Sequence, residues 1–117
     1  MTKIIQVLNA MISQSELITN VIKCDKEYFF LYNKKYKWSI ALDDREIYFV
    51  HFYPSNEVSL EELSNRFDWT GFDDFVTYKS SDFKTVEADE TFRELYQIVS
   101  NKLYNLDEIF NDIINNS

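Results

Sequence analysis

The first thirteen residues repeat apolar side chains at helical spacing. Ile4, Val7, Leu8 and Met11, with Ile5 and Ile12 beside them, form one stripe on a helix of 3.6 residues per turn. The spacing predicts a helix over residues 2–13. From Leu17 the period shortens to two. Ile18, Ile22 and Cys24 fall on one side and Leu17, Thr19 and Val21 on the other, as in a short strand. Asp25-Lys26 reads as a turn. Tyr28-Phe29-Phe30-Leu31-Tyr32 is a run of strand-favouring side chains. Asn33-Lys34-Lys35 reads as a hairpin connection, because asparagine tolerates the left-handed backbone of tight turns. Tyr36, Trp38, Ile40 and Leu42 then alternate with Lys37, Ser39 and Ala41, which predicts a strand with one buried face. After the charged loop Asp43-Asp44-Arg45-Glu46, residues 47–53 (Ile-Tyr-Phe-Val-His-Phe-Tyr) form another strand, and Pro54 stops it.

Large side chains occupy both faces of that strand. A one-sided sheet would alternate them with polar residues. Two arrangements satisfy the pattern: helices cover both sheet faces, or one face is an aromatic surface kept for a partner.

Ser59 and Glu62 have the spacing of a helix-starting capping box. They predict a short helix from Ser59 that ends near Asn65 to Phe67. Trp69-Thr70-Gly71-Phe72 reads as a turn and Phe75–Lys79 as a fifth strand, broken by Ser80-Ser81-Asp82. From Ala88 to Ile114 the pattern is helical again. Phe92, Val99, Leu106 and Ile113 repeat every seven residues, with Tyr96, Leu103 and Phe110 between them. Leu95, Ile98, Ile109 and Ile114 widen this seam, which favours packing on a sheet over a coiled-coil dimer. Asn105 is the position where the helix could divide in two. The expected architecture is α+β: an N-terminal helix, an antiparallel meander of four or five strands, a short helix and a long C-terminal helix packed on the sheet. One domain spans residues 1–117, with 115–117 as a frayed tail. No repeat or linker composition divides it.

Charge adds a second constraint. The chain carries a net charge of −8. Residues 1–58 hold seven bases and seven acids, whereas residues 59–117 hold five bases against thirteen acids. Such a surface repels phosphate backbones and attracts basic partners. No direct contact with nucleic acid is expected. No run of about 18 apolar residues is present, so no membrane-spanning helix is expected. A single cysteine excludes an internal disulfide framework, and the N-terminus does not read as a secretory signal. The expected location is the cytoplasm. The richness in Ile, Asn, Lys, Tyr and Phe fits a bacterial or phage source.

Reactive chemistry is sparse. His51 is the one histidine and Cys24 the one cysteine, and neither has a catalytic neighbour in sequence. They cannot form a four-ligand zinc site. A single glycine, Gly71, cannot build a phosphate-cradling loop. No cofactor is expected. The acids Asp73 and Asp74 upstream of Asp82-Phe83-Lys84 loosely resemble the carboxylate–lysine set of metal-dependent nucleases. The acidic surroundings oppose that reading. The expected function is a small non-enzymatic protein-binding module of inhibitor or immunity type that engages a basic surface of another protein. Glu61, Glu62, Asp68, Asp73, Asp74 and Glu90, with Trp69 as an aromatic anchor, are the expected contact residues. The alternative is a homodimeric scaffold or chaperone subunit that uses the C-terminal seam.

Overall fold

The computed structural model describes residues 2–65 and 74–116. The elements run in the order helix α1 (Lys3–Ser13), strands β1 (Ile18–Cys24), β2 (Glu27–Tyr32), β3 (Tyr36–Leu42) and β4 (Tyr48–Tyr53), helix α2 (Leu60–Ser64), strand β5 (Val76–Lys79), and helices α3 (Val86–Leu103) and α4 (Leu106–Asn115). The five strands form one antiparallel sheet in sequence order. This is the α+β meander the pattern predicts.

Turn chemistry sets the register. Asn33 and Lys34 both have positive φ, and Lys35 N–H donates to the Tyr32 carbonyl at 3.2 Å. A turn of this hand at Asn33-Lys34 matches the twist of the strands it joins. With Lys35 as the third residue of the connection it pairs Tyr32 with Tyr36 and so aligns all of β2 with β3. Between β3 and β4, the Asp43 carboxylate accepts the N–H groups of Arg45 and Ile47, each at 2.9 Å. The Ile47 bond, then the Arg45 guanidinium at 2.9 Å, hold that carboxyl below its ordinary range.

The alternation expected for β1 fails at a bulge. The pairing shifts between Thr19 and Ile22, and Asn20 sits at φ 57°. One extra residue reverses the side-chain facing beyond it. Ile18 and Val21 therefore share the main core, while Ile22 packs on the opposite face.

Helices cover both faces, which is the first of the two arrangements that β4 allowed. On one face, α1 and α3 bury Ile5, Leu8, Met11, Phe92, Leu95 and Val99 against Phe30, Trp38, Ile40 and Val50. On the other face, Leu60 and Leu63 of α2 pack on Phe29 and Tyr53. Both caps have sequence causes. Ser59 Oγ accepts the Glu62 N–H at 3.1 Å, as the capping box requires, and Thr85 Oγ1 accepts the Ala88 N–H at 3.1 Å. Glu87 and Asp89 in the first turn of α3, and Lys102 in its last, oppose the helix dipole.

The C-terminal seam is divided. Asn105 adopts a left-handed conformation at φ 52° and ends α3, so the C-terminal helix divides at the position the sequence singled out. The N-terminal part of the seam is buried: Phe92, Leu95 and Val99 are each 0% exposed. Beyond the break, Ile109 is 45%, Phe110 53% and Ile113 61% exposed. Packing on the sheet therefore holds for α3 alone. Replacing Phe92 with alanine should cost about 3–5 kcal/mol in denaturant unfolding, because it empties a close-packed site. Replacing Phe110 with alanine, although it lies in the same heptad pattern, should change stability by less than about 0.5 kcal/mol.

Candidate interaction surface

Three features of the surface carry distinctive chemistry. The first is a polar cluster on the sheet face that α2 partly covers. The register places Phe29, Ser39, His51 and Thr77 in one row across β2, β3, β4 and β5. Glu27 lies two residues from Phe29 and reaches the row diagonally. Its carboxylate accepts the hydroxyl of the fully buried Ser39, and the Tyr53 phenol approaches the same oxygen at 3.5 Å. Ser39 and Tyr53 share a further bond at 2.9 Å. His51 contacts Thr77 Oγ1 through Nδ1 at 2.8 Å, with Nε2 3.8 Å from Glu27 Oε2.

Burial decides the protonation of this cluster. Desolvation lowers the His51 pKa from its ordinary 6.5, against the smaller opposing pull of Glu27. The ring is therefore neutral at pH 7. Burial and the Glu27 charge drive the Tyr53 phenol far above its ordinary value. A hydroxyl, an imidazole and a carboxylate in a row resemble a catalytic triad in type, but the geometry works against that role. Ser39 is sealed from solvent and donates to Glu27, not to His51. Thr77 is reachable, yet no hydrogen bond joins His51 to Glu27 at 3.8 Å. The described contacts tie β2, β3, β4 and β5 to one another.

Cys24 stands apart from this cluster. It is exposed at the β1–β2 hairpin, paired with Glu27. His51 lies three strand spacings away across the sheet, about 14 Å, so the two cannot form a dyad.

The second feature is a groove of about 640 Å³ between α1 and the aromatic ends of the strands. Lys3, Ile4, Val7, Ala10 and Met11 form one wall; Tyr32, Tyr36, Trp38, Phe52 and Tyr78 form the other. Trp38 and Phe52 rings meet at 4.7 Å, and Tyr36 packs on Phe52 at 6.3 Å. Trp38 is 8% exposed, and its buried indole N–H has no acceptor among the described residues. Such a donor carries a desolvation cost. The Lys35 ammonium sits 5.0 Å from the Tyr36 ring centroid, and the exposed Lys3 lines the groove.

The third feature is α4. Its exposed Ile109, Phe110 and Ile113 lie at helical spacing, flanked by exposed Glu108 and Asp112. The helix contains no Lys or Arg.

The expected contact residues do not gather. Glu61 and Glu62 are exposed in the first turn of α2. Glu90 is exposed on α3, on the opposite side of the sheet. Asp74 is exposed ahead of β5. Asp68, Trp69 and Asp73 lie outside the described residues, as does the turn expected at 69–72. On α3, Glu90 joins Glu87 and Glu94 in an exposed acidic stripe. Asp74 precedes β5 and Asp82 follows it, and no group of three or more His, Cys, Asp or Glu side chains among the described residues is placed to hold a metal ion.

Tyr32, Tyr36, Trp38 and Phe52, which the sequence pattern assigns only to strands, line one groove. The local pattern does not single out Glu27, Ser39 or Thr77. Their signal was present in the hairpin, since the three-residue connection Asn33-Lys34-Lys35 fixes which residues of β2 and β3 stand side by side. No protein-family model, curated protein or solved structure matches this chain. No helix among the described residues is long and apolar enough to cross a membrane.

The neutral His51 has a measurable consequence. In the unfolded chain the imidazole takes up a proton near pH 6.5, whereas the folded site resists it. The unfolded state then binds more protons, so folded stability is complete above that pH and falls on acidification. Unfolding measured in urea should show a lower midpoint at about pH 5 than at about pH 7.5. His51→Gln should flatten the part of this dependence above the carboxylate range.

Proposed function

We propose that this chain is a non-enzymatic protein-binding module of inhibitor or immunity type, and that α4 is its anchoring element. The observation that carries the reading is the exposed apolar face of α4. Ile109, Phe110 and Ile113 retain roughly half of their surface or more in water. A contiguous apolar patch of this kind is characteristic of a recognition surface. A helix that lays i, i+1 and i+4 anchors into a partner is a recurring mode of protein recognition.

The acidic flanks state the chemistry of the partner. Glu108 and Asp112 border the apolar residues, and Glu87, Glu90 and Glu94 extend the negative field along α3. A partner with an apolar cleft rimmed by Lys or Arg complements this surface. The long-range field raises the association rate, while the desolvated apolar anchors set the lifetime of the complex. Glu61, Glu62 and Asp74 contribute to the same net field from other faces.

The test is capture from the native host with wild-type chain and with Ile113→Asp as paired baits. The captured protein is then purified and titrated. Ile113→Asp should weaken that complex by at least about 30-fold, as loss of an interface anchor does. Glu108→Lys with Asp112→Lys should slow association with little change in dissociation, and raising salt should mimic it. A complex indifferent both to Ile113→Asp and to ionic strength removes this reading.

A further inference from the structure

The groove beside α1 and the exposed face of α4 are complementary, and we infer that α4 of one copy docks into the groove of a second copy in a reciprocal pair. The inference rests on the reading of α4 as the binding helix and names one partner for it.

Apolar character, size and charge each support the match. The groove is lined almost wholly by apolar and aromatic side chains. Its α1 wall runs from Lys3 to Met11, about 12 Å along a helix axis. The ten residues of α4 span about 15 Å, so the helix matches the length of the wall. The charges are opposite. Lys3 lines the groove and the Lys35 ammonium lies over the ring of Tyr36, another lining residue, while α4 carries Glu108 and Asp112 and no base.

Reciprocity closes the assembly. Each copy has one helix to give and one groove to fill, so a two-fold arrangement buries both pairs and leaves none to continue a chain. The hinge for presenting α4 is the left-handed Asn105 between the two C-terminal helices.

The experiment is light scattering and sedimentation of the full chain at concentrations up to about 1 mM. The expected result is a mass that rises from one to two copies of the 14.1 kDa chain. Two variants isolate the two surfaces, and both change exposed positions. Ala10→Trp fills the groove and leaves α4 intact. Ile113→Asp spoils α4 and leaves the groove intact. Each should weaken pairing by at least about 30-fold. An equimolar mixture should regain a mixed dimer, because the sound helix of one variant fits the sound groove of the other. Circular dichroism verifies that both variants fold, and recovery in the mixture verifies it again.

Several outcomes overturn the inference. A wild type that stays monomeric throughout the range does so. So does a dimer that survives Ala10→Trp, which would show that the helices pair with each other. Masses that grow past two copies would show head-to-tail association and end the reciprocal arrangement. A concentration-independent monomer whose Trp38 is protected would mean that α4 closes on its own groove. If the wild type is monomeric while Ile113→Asp still abolishes capture of the host partner, self-pairing falls and the binding helix stands. If Ile113→Asp affects neither, both fall.

Discussion

Strands β2 and β4 place large side chains on both of their faces, and both faces must leave water. Phe30, Trp38, Ile40 and Val50 point to one side; Phe29 and Tyr53 point to the other. Burial of such residues is worth roughly 1.5–3 kcal/mol each, more than any surface contact in the molecule can supply. The sheet is therefore a middle layer. Helices α1 and α3 form the layer above, and α2 forms a smaller one below. Much of what is notable in the molecule follows from how unequal those two layers are.

The lower layer is short, since α2 has only five residues. Over β3 to β5 it leaves room for polar side chains, and that is where Glu27, Ser39, His51, Tyr53 and Thr77 meet. A buried polar group costs free energy unless each donor and acceptor is satisfied. Here Ser39 and Tyr53 bind each other and Glu27, and His51 binds Thr77. The cluster has the ingredients of an acid–base site, but its hydroxyls are committed to neighbouring strands. Such a network specifies register. A slip of one residue would strand a carboxylate and an imidazole among aromatics.

The upper layer is unequal in another way. Helix α3 packs fully until Val99, and the left-handed Asn105 then turns the chain away from the sheet. The same apolar repeat continues into α4, where no sheet lies beneath it. Conversely, α1 stands beside strands whose aromatic ends it does not fully cover, which leaves the groove. The break at Asn105 leaves one apolar surface without a floor, and the partial cover by α1 leaves one apolar slot without a filling. Opposite charge at their margins makes association between copies the simplest way to satisfy both.

The sequence by itself determined the element types, the meander and the helix starts. These depend on neighbours only a few residues apart: apolar period, the Asn33-Lys34 turn, and the Ser59–Glu62 cap. Nearly every element could be read because local spacing and final burial agree. Tertiary structure decided what local spacing cannot express. The bulge at Asn20 reversed Ile22, because pairing with β2 rather than alternation sets the facing of β1. Whether the acids share one face was not written in local spacing, and the fold places Glu61 and Glu62 on α2, Glu90 on α3 and Asp74 on the approach to β5. The heptad seam read as continuous, yet whether a residue in it is buried depends on what stands opposite. For Phe92 that is a sheet, and for Phe110 it is solvent. Glu27 and His51, 24 positions apart in sequence, met only because strand pairing brings distant residues within reach, and no one-dimensional pattern records that distance.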